Sequence, residues 1–305
     1  MPRLSALAAT EDRRRSTGES HQALHPLLGG RTEPLTIPAA RHREQARLEA
    51  AVFLGVCKIG GRSAHPLGIV RLRPEEEQLT LRLLSEPYVI RHWAEALLPR
   101  AVEEDLSDPR DGVSGVPGLR WCREGGGIRL YRPGLPTRVV LTGFHPHWWE
   151  RAVASMKNCY ALFDEPDWAP LEHAAYAAWS ASGMEPPDLL SPLLRRIRAT
   201  AGPGSINATD TWWSMGRSFR LETTDGPPCP DLIRLLGDAP TGLGWEALEK
   251  TCTCLCDHTH GGCMVDFRDP ATGLLVYYSN VKWGRTMDAD RLRRVEAANR
   301  AAAFT

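Results

Sequence analysis

Between Leu119 and Leu141 three short apolar segments, 119–122, 128–131 and 138–141, are cut apart by Gly125-Gly126-Gly127 and by Pro133-Gly134. Segments this short do not make stable helices, and glycine and proline at the breaks supply the backbone angles of tight turns. The spacing therefore predicts a meander of strands. Residues 67–72 and 79–84 read as strands before it, and 211–222, 251–256, 263–267 and 274–279 read as strands after it. The apolar run Ala50-Ala51-Val52-Phe53-Leu54 within 49–59 reads as a strand too, with room for a short helix ahead of it.

Helical patterns fall between these groups. One starts near Ser85 and Pro87 and stops at Pro99, one starts near Pro146, and others cover 171–182, 189–199, 230–236 and 288–303. Proline is tolerated in the first turn of a helix and ends one elsewhere. Strands in runs with helices between the runs predict an α+β fold rather than an alternating doubly wound sheet. The expected organisation is two lobes of mostly antiparallel strands with packed helices, behind a disordered N-terminal leader. The leader covers 1–45, the first lobe 46–163 and the second 171–305, with the acidic, proline-bearing stretch 164–170 crossing between them. A faint internal echo joins the lobes. Tyr131-Arg132-Pro133 and Phe267-Arg268-Asp269-Pro270 each stand before a strand and then a helix. Two similar lobes explain it, and so does a coincidence of hairpin turns.

Composition narrows the function classes. Lys+Arg and Asp+Glu are both 37, so the formal net charge is zero, which disfavours general binding to nucleic acid or to anionic membranes. No stretch approaches the ~20 apolar residues of a membrane helix. The N-terminal residues lack the charged, apolar and small-residue regions of an export signal, so the expectation is a cytoplasmic protein whose eight cysteines are thiols or metal ligands rather than disulfides.

One stretch argues for chemistry. Cys252, Cys254, Cys256, His258 and His260 occupy alternate positions, and Cys263 follows Gly261-Gly262. On a flat strand, same-face residues stand about 6.5–7 Å apart. Thiolates around a tetrahedral zinc are only about 3.8 Å apart, from Zn–S bonds near 2.3 Å. One ion therefore cannot take all three alternating cysteines. The turn at Gly261-Gly262 brings Cys263 back towards Cys256, which makes Cys256, His258, His260 and Cys263 the candidate metal ligands. Thiolate and imidazole together suit zinc, with iron or copper as alternatives. Asp257 is placed to accept from a ligand imidazole or to carry a proton. The competing reading is that these cysteines pack in a strand face, as free cysteine commonly does. A thiol redox pair is a third.

His145 and His147, beside Trp148 and Trp149, are candidate proton carriers, or a helix cap. Three functions stay open at this point. The first is a metal-binding protein or metal-dependent enzyme centred on the Cys/His turn. The second is a protein-interaction or regulatory module with structural cysteines. The third is a nucleic-acid accessory protein using the leader arginines with Arg195, Arg196 and Arg198, which the net charge does not favour.

Overall fold

The computed structural model describes residues 6–28, 34–57, 62–63, 65–102, 108–157, 160–183, 186–202, 207–214, 218–224, 226–238, 240–248 and 263–281. The protein is α+β. Its helices are α1 (Ala6–Thr17), α2 (His21–Leu28), α3 (Arg43–Cys57), α4 (Pro87–Leu97), α5 (Pro146–Met156), α6 (Pro170–Ser182), α7 (Pro187–Leu194) and α8 (Cys229–Gly237). Its strands are β1 (Arg62–Ser63), β2 (Ile69–Pro74), β3 (Leu79–Leu83), β4 (Arg100–Ala101), β5 (Val113–Ser114), β6 (Arg120–Glu124), β7 (Gly127–Tyr131), β8 (Val139–Thr142), β9 (Asn207–Ser214), β10 (Ser218–Thr224), β11 (Glu246–Ala247), β12 (Cys263–Arg268) and β13 (Leu275–Val281). Among the described residues no helix is long and apolar enough to cross a membrane.

The described chain forms two compact units. One takes residues from 1–39, 60–74 and 192–287, the other from 40–59 and 75–191. In the second unit the meander appears as expected: β6 pairs antiparallel with β7, β7 antiparallel with β8, and β8 lies parallel to β3. Alternation sends Leu79, Leu81, Ile128, Leu130, Val139 and Leu141 to one face, and all six are fully buried. α4 supplies Ile90, Trp93 and Ala94 to the core at the i, i+3, i+4 spacing of a helix stripe. Burying an aliphatic or aromatic side chain of this kind contributes about 1.5–3 kcal/mol.

The first unit repeats this plan. β11 pairs antiparallel with β12, β12 antiparallel with β13, and β13 lies parallel to β10, while β9 and β1 extend the sheet beyond β10. The register repeats as well. Leu130 faces Val139, which faces Leu79, and Phe267 faces Val276, which faces Phe219. The buried set Phe219, Leu221, Val265, Phe267, Val276 and Tyr278 falls on the same six positions. The matched pairs close chain of equal length, from Leu130 to Val139 in the one hairpin and from Phe267 to Val276 in the other. Pro133 and Pro270 hold the same place in them. α8 matches α4, with Leu232, Leu235 and Leu236 where α4 has Ile90, Trp93 and Ala94. The sequence echo marks this repeat, with the true register one residue away from the apparent one: Tyr131 corresponds to Arg268.

Two segments differ from expectation. The run 50–54 belongs to a helix, α3, and not to a strand. α3 is buried nearly all round, from Leu48 through Leu54, so its apolar residues form an unbroken run with no period to read. Within the segment read as a leader, α1 and α2 are helical. α1 buries Thr10, Asp12, Arg13, Ser16 and Thr17, a polar face that gives no hydrophobic signal. Arg13 is paired to Glu19 at 2.8 Å, and Asp12 is paired to Arg234 of α8.

Candidate functional site

β11 and β12 frame the Cys/His run. Beyond the pairs Glu246–Arg268 and Ala247–Phe267, the Leu248 N–H donates to the Asp266 carbonyl at 2.9 Å. The pair is buttressed by Trp245 against Phe267, ring centroids 5.9 Å apart, and by an Arg268–Glu246 ion pair at 2.8 Å. β12 then runs antiparallel to β13 from the Cys263–Asn280 pair onward. Cys256, Asp257, His258 and His260 lie outside the described residues, as do Cys252 and Cys254, and Cys263 is described only through its backbone on β12. Among the described residues no group of three or more His, Cys, Asp or Glu side chains gathers to hold a metal.

The repeated plan shows what the run replaces. In the second unit β6 and β7 are joined by Gly125-Gly126, with Gly125 at φ +54°. A two-residue turn with positive φ at its first position suffices to close an antiparallel pair. In the first unit the matching strands are joined by residues 248–262. The Cys/His run is thus extra chain at a hairpin end, where a two-residue turn would serve. Long connections within compact domains are commonly retained for function.

A further cysteine belongs to this neighbourhood. Cys229 opens α8, the helix that packs on β11 and β12, and is buried to 1% exposure. It is disulfide-bonded, which departs from the expectation of thiols throughout. Cys57 and Cys122 are not in disulfides.

The other candidates are resolved in more detail. His145 caps α5: its Nδ1 accepts from the His147 N–H at 3.3 Å, and the two rings meet edge-on at 5.4 Å. Both rings are exposed. The crossing at 164–170 is anchored, since Arg120 Nε donates to the Glu165 carbonyl at 2.6 Å and its guanidinium also reaches the Asp167 carbonyl. Arg120 and Glu172 form a buried ion pair at 2.8 Å, with side-chain exposures of 3% and 0%. The Gly118 and Ala169 N–H groups donate to the same carboxylate, so every charge there has partners. Trp168 stacks on His173, and Arg132 lies over Tyr176 at 4.8 Å. These aromatic and acidic residues build the second unit rather than a binding face.

Of the arginines proposed for phosphate contact, Arg13, Arg195 and Arg196 are interior, while the side chains of Arg14 and Arg15 are 39% and 35% exposed. Arg195 and Arg196 are 0% and 6% exposed, and Arg13 is 5% exposed. They donate to the backbone of an extended segment: Arg13 to the Thr36 carbonyl, Arg196 to Ile37 and Arg195 to Pro38. Burial, reinforced by Arg195 and Arg13, pulls the Arg196 guanidinium down to about 10. Arg198 donates to the Ile69 carbonyl and lies 2.9 Å from His65 Nδ1. Residues held in this way are not available to a nucleic-acid backbone.

Sequence reasoning missed a cavity of about 320 Å³ inside the second unit, between α3, α4, α6 and the β4–β5 ribbon. Its lining comes from positions as far apart as Ala51 and Trp179, so no local pattern announces it. Comparison with protein-family models, with curated proteins and with solved structures finds no match to this chain.

Proposed function

We propose that this is a cytoplasmic metal-binding protein whose site is the Cys/His turn, with Cys256, His258, His260 and Cys263 as ligands and zinc as the metal. One observation carries this reading. The only long connection in the described strand repeat that is rich in soft donors stands where the matching hairpin has Gly125-Gly126. Two thiolates and two imidazoles fit zinc's preference for tetrahedral nitrogen and sulfur donors, and iron or copper would accept the same set less well. If three of the four bind, the open position holds a water that the metal acidifies, and the protein becomes a metal-dependent enzyme. Asp257, His145 and His147 are then the residues to test as proton carriers.

The test is elemental analysis of untagged protein purified without chelators. Stoichiometric zinc that is lost in Cys256→Ser and His260→Ala variants supports the reading. Metal-free protein with an unaltered fold overturns it.

The Cys229 disulfide favours a second reading, in which the cysteines form a thiol redox pair. Thiol counting before and after reduction separates the two. A metal site loses its ion on adding chelator, while a redox pair releases thiols with reductant beyond the two of the Cys229 disulfide.

A further inference from the structure

The second unit also carries extra chain, at a different place. Between α4 and β6 lie residues 98–119, where the first unit has only 238–245 between α8 and β11. Its described residues, 98–102 and 108–119, are well organised. β4 pairs with β5, Arg100 bridges to Ala161, and the Val116 N–H donates to the Leu97 carbonyl at 2.9 Å. Gly115 sits at φ +91°, and a Cβ there would come within 2.5 Å of the Leu98 carbonyl oxygen, so the ribbon lies tight against the end of α4.

The cavity opens between this ribbon and the helices. Ala51, Leu54, Val113 and Val116 give it an apolar side, while Arg100, Arg110 and Trp179 give it a cationic and aromatic one. The two guanidiniums are not equivalent. Arg110 is committed: its Nε donates to both oxygens of Asp108, at 3.0 and 2.8 Å, and it lies over the Trp179 ring at 5.9 Å. Arg100 has no carboxylate partner among the described residues. Its Nη2 donates to the Glu95 carbonyl at 3.2 Å and to Ser114 Oγ at 3.4 Å. The Glu95 carboxylate is taken by Arg91 at 2.7 Å, and Asp111 is exposed to solvent. Arg100 Nε is sealed from solvent with no hydrogen-bond partner. An arriving oxyanion therefore meets the Nη end of the guanidinium, whose acceptors, the Glu95 carbonyl and Ser114 Oγ, are neutral and leave its charge uncompensated.

We propose that this cavity binds a small organic anion: an oxyanion, carboxylate or phosphate monoester, carried on a flat apolar body. The oxyanion meets Arg100, and the body lies on the apolar side next to Trp179. At the ~30 Å³ that one liquid water occupies, the space admits about ten non-hydrogen atoms, the size of benzoate or phenyl phosphate. Arginine suits such a group because its fork matches two oxygens at once.

Calorimetric titration of the full chain with phenyl phosphate, benzoate and inorganic phosphate tests this. Saturable binding of either aromatic anion is expected, with phosphate alone weaker. Arg100→Gln should weaken the aromatic anions by about tenfold or more, Arg100→Lys by less, with circular dichroism of both variants unchanged. Absence of saturable binding overturns the proposal. Binding that Arg100→Gln leaves untouched overturns it too, and so does inorganic phosphate binding as tightly as phenyl phosphate.

Discussion

The two units share a four-strand order, its register and six buried sheet positions, yet each is lengthened at a different connection. The second unit inserts residues 98–119 between helix and meander and keeps Gly125-Gly126 as its hairpin turn. The first keeps the helix-to-strand connection short and inserts the Cys/His run at the hairpin. A shared framework with different additions teaches where to seek function. Residues common to both units fill the core, and the residues that differ carry donors, charges and cavities. The framework fixes strand ends in space, and the added chain explores chemistry on that fixed support.

The units should respond differently when each loses what it alone has. The buried Arg120–Glu172 pair belongs to the second unit only: β6 and α6 supply its two members, and Gly118 of the insertion donates to the carboxylate. Glu172→Gln leaves Arg120 buried without a counter-charge and should lower stability by about 3–5 kcal/mol, read by urea denaturation. A loss below 1 kcal/mol would mean that the pair is not what anchors the crossing. At the start of β7, a Cβ on Gly127 would meet the Leu141 carbonyl oxygen at 2.3 Å, while the matching residue of β12, Met264, is half exposed. Gly127→Ala should cost about 1–3 kcal/mol and Met264→Ala less than about 0.5 kcal/mol. Equal effects in a melting experiment would refute the proposed correspondence.

Exchanging the connections is a more direct experiment. Joining Lys250 to Met264 through Gly-Gly should leave the first unit folded, within about 1 kcal/mol, because loop length enters closure entropy only logarithmically. The same variant should lose all bound zinc. A folded variant that still holds zinc would move the metal site elsewhere.

A smaller effect separates the units by pH. Burial, with Arg198 beside it, lowers the His65 pKa from the usual 6.5. The folded first unit therefore prefers neutral His65. Its contribution is complete above the unfolded value of 6.5 and is lost as pH falls through the lowered folded value. Substituting His65→Gln should flatten the stability profile on the acidic side of pH 6.5. An unchanged slope would assign that dependence to other groups.

The α+β class, the meander, α4, α5 and the β12–β13 hairpin were readable because their apolar residues keep a period and their turns carry Gly or Pro. α3 lost its period through burial on all sides. α1 hid because the side chains it buries are Thr10, Asp12, Arg13, Ser16 and Thr17, a polar set whose partners run from the nearby Glu19 for Arg13 to Arg234, 222 residues away, for Asp12. The arginines of 195–198 looked like a solvated face because charge alone does not reveal that a backbone carbonyl awaits each guanidinium. The Cys/His run was readable as donor chemistry from its spacing, and its place at a hairpin end emerged only from the repeat. The cavity was unreadable, since Arg100, Arg110 and Trp179 meet only after four elements have packed.

The extended segment threaded past Arg13, Arg196 and Arg195 has a consequence for the order in which this protein is made. Thr36, Ile37 and Pro38 leave the ribosome long before Arg195 and Arg196 exist. At ~5–20 residues per second the delay is roughly ten to thirty seconds. During that interval α1 presents a polar face with few of its partners, and the first unit waits for its own second half while the second unit, delivered in between, can already fold.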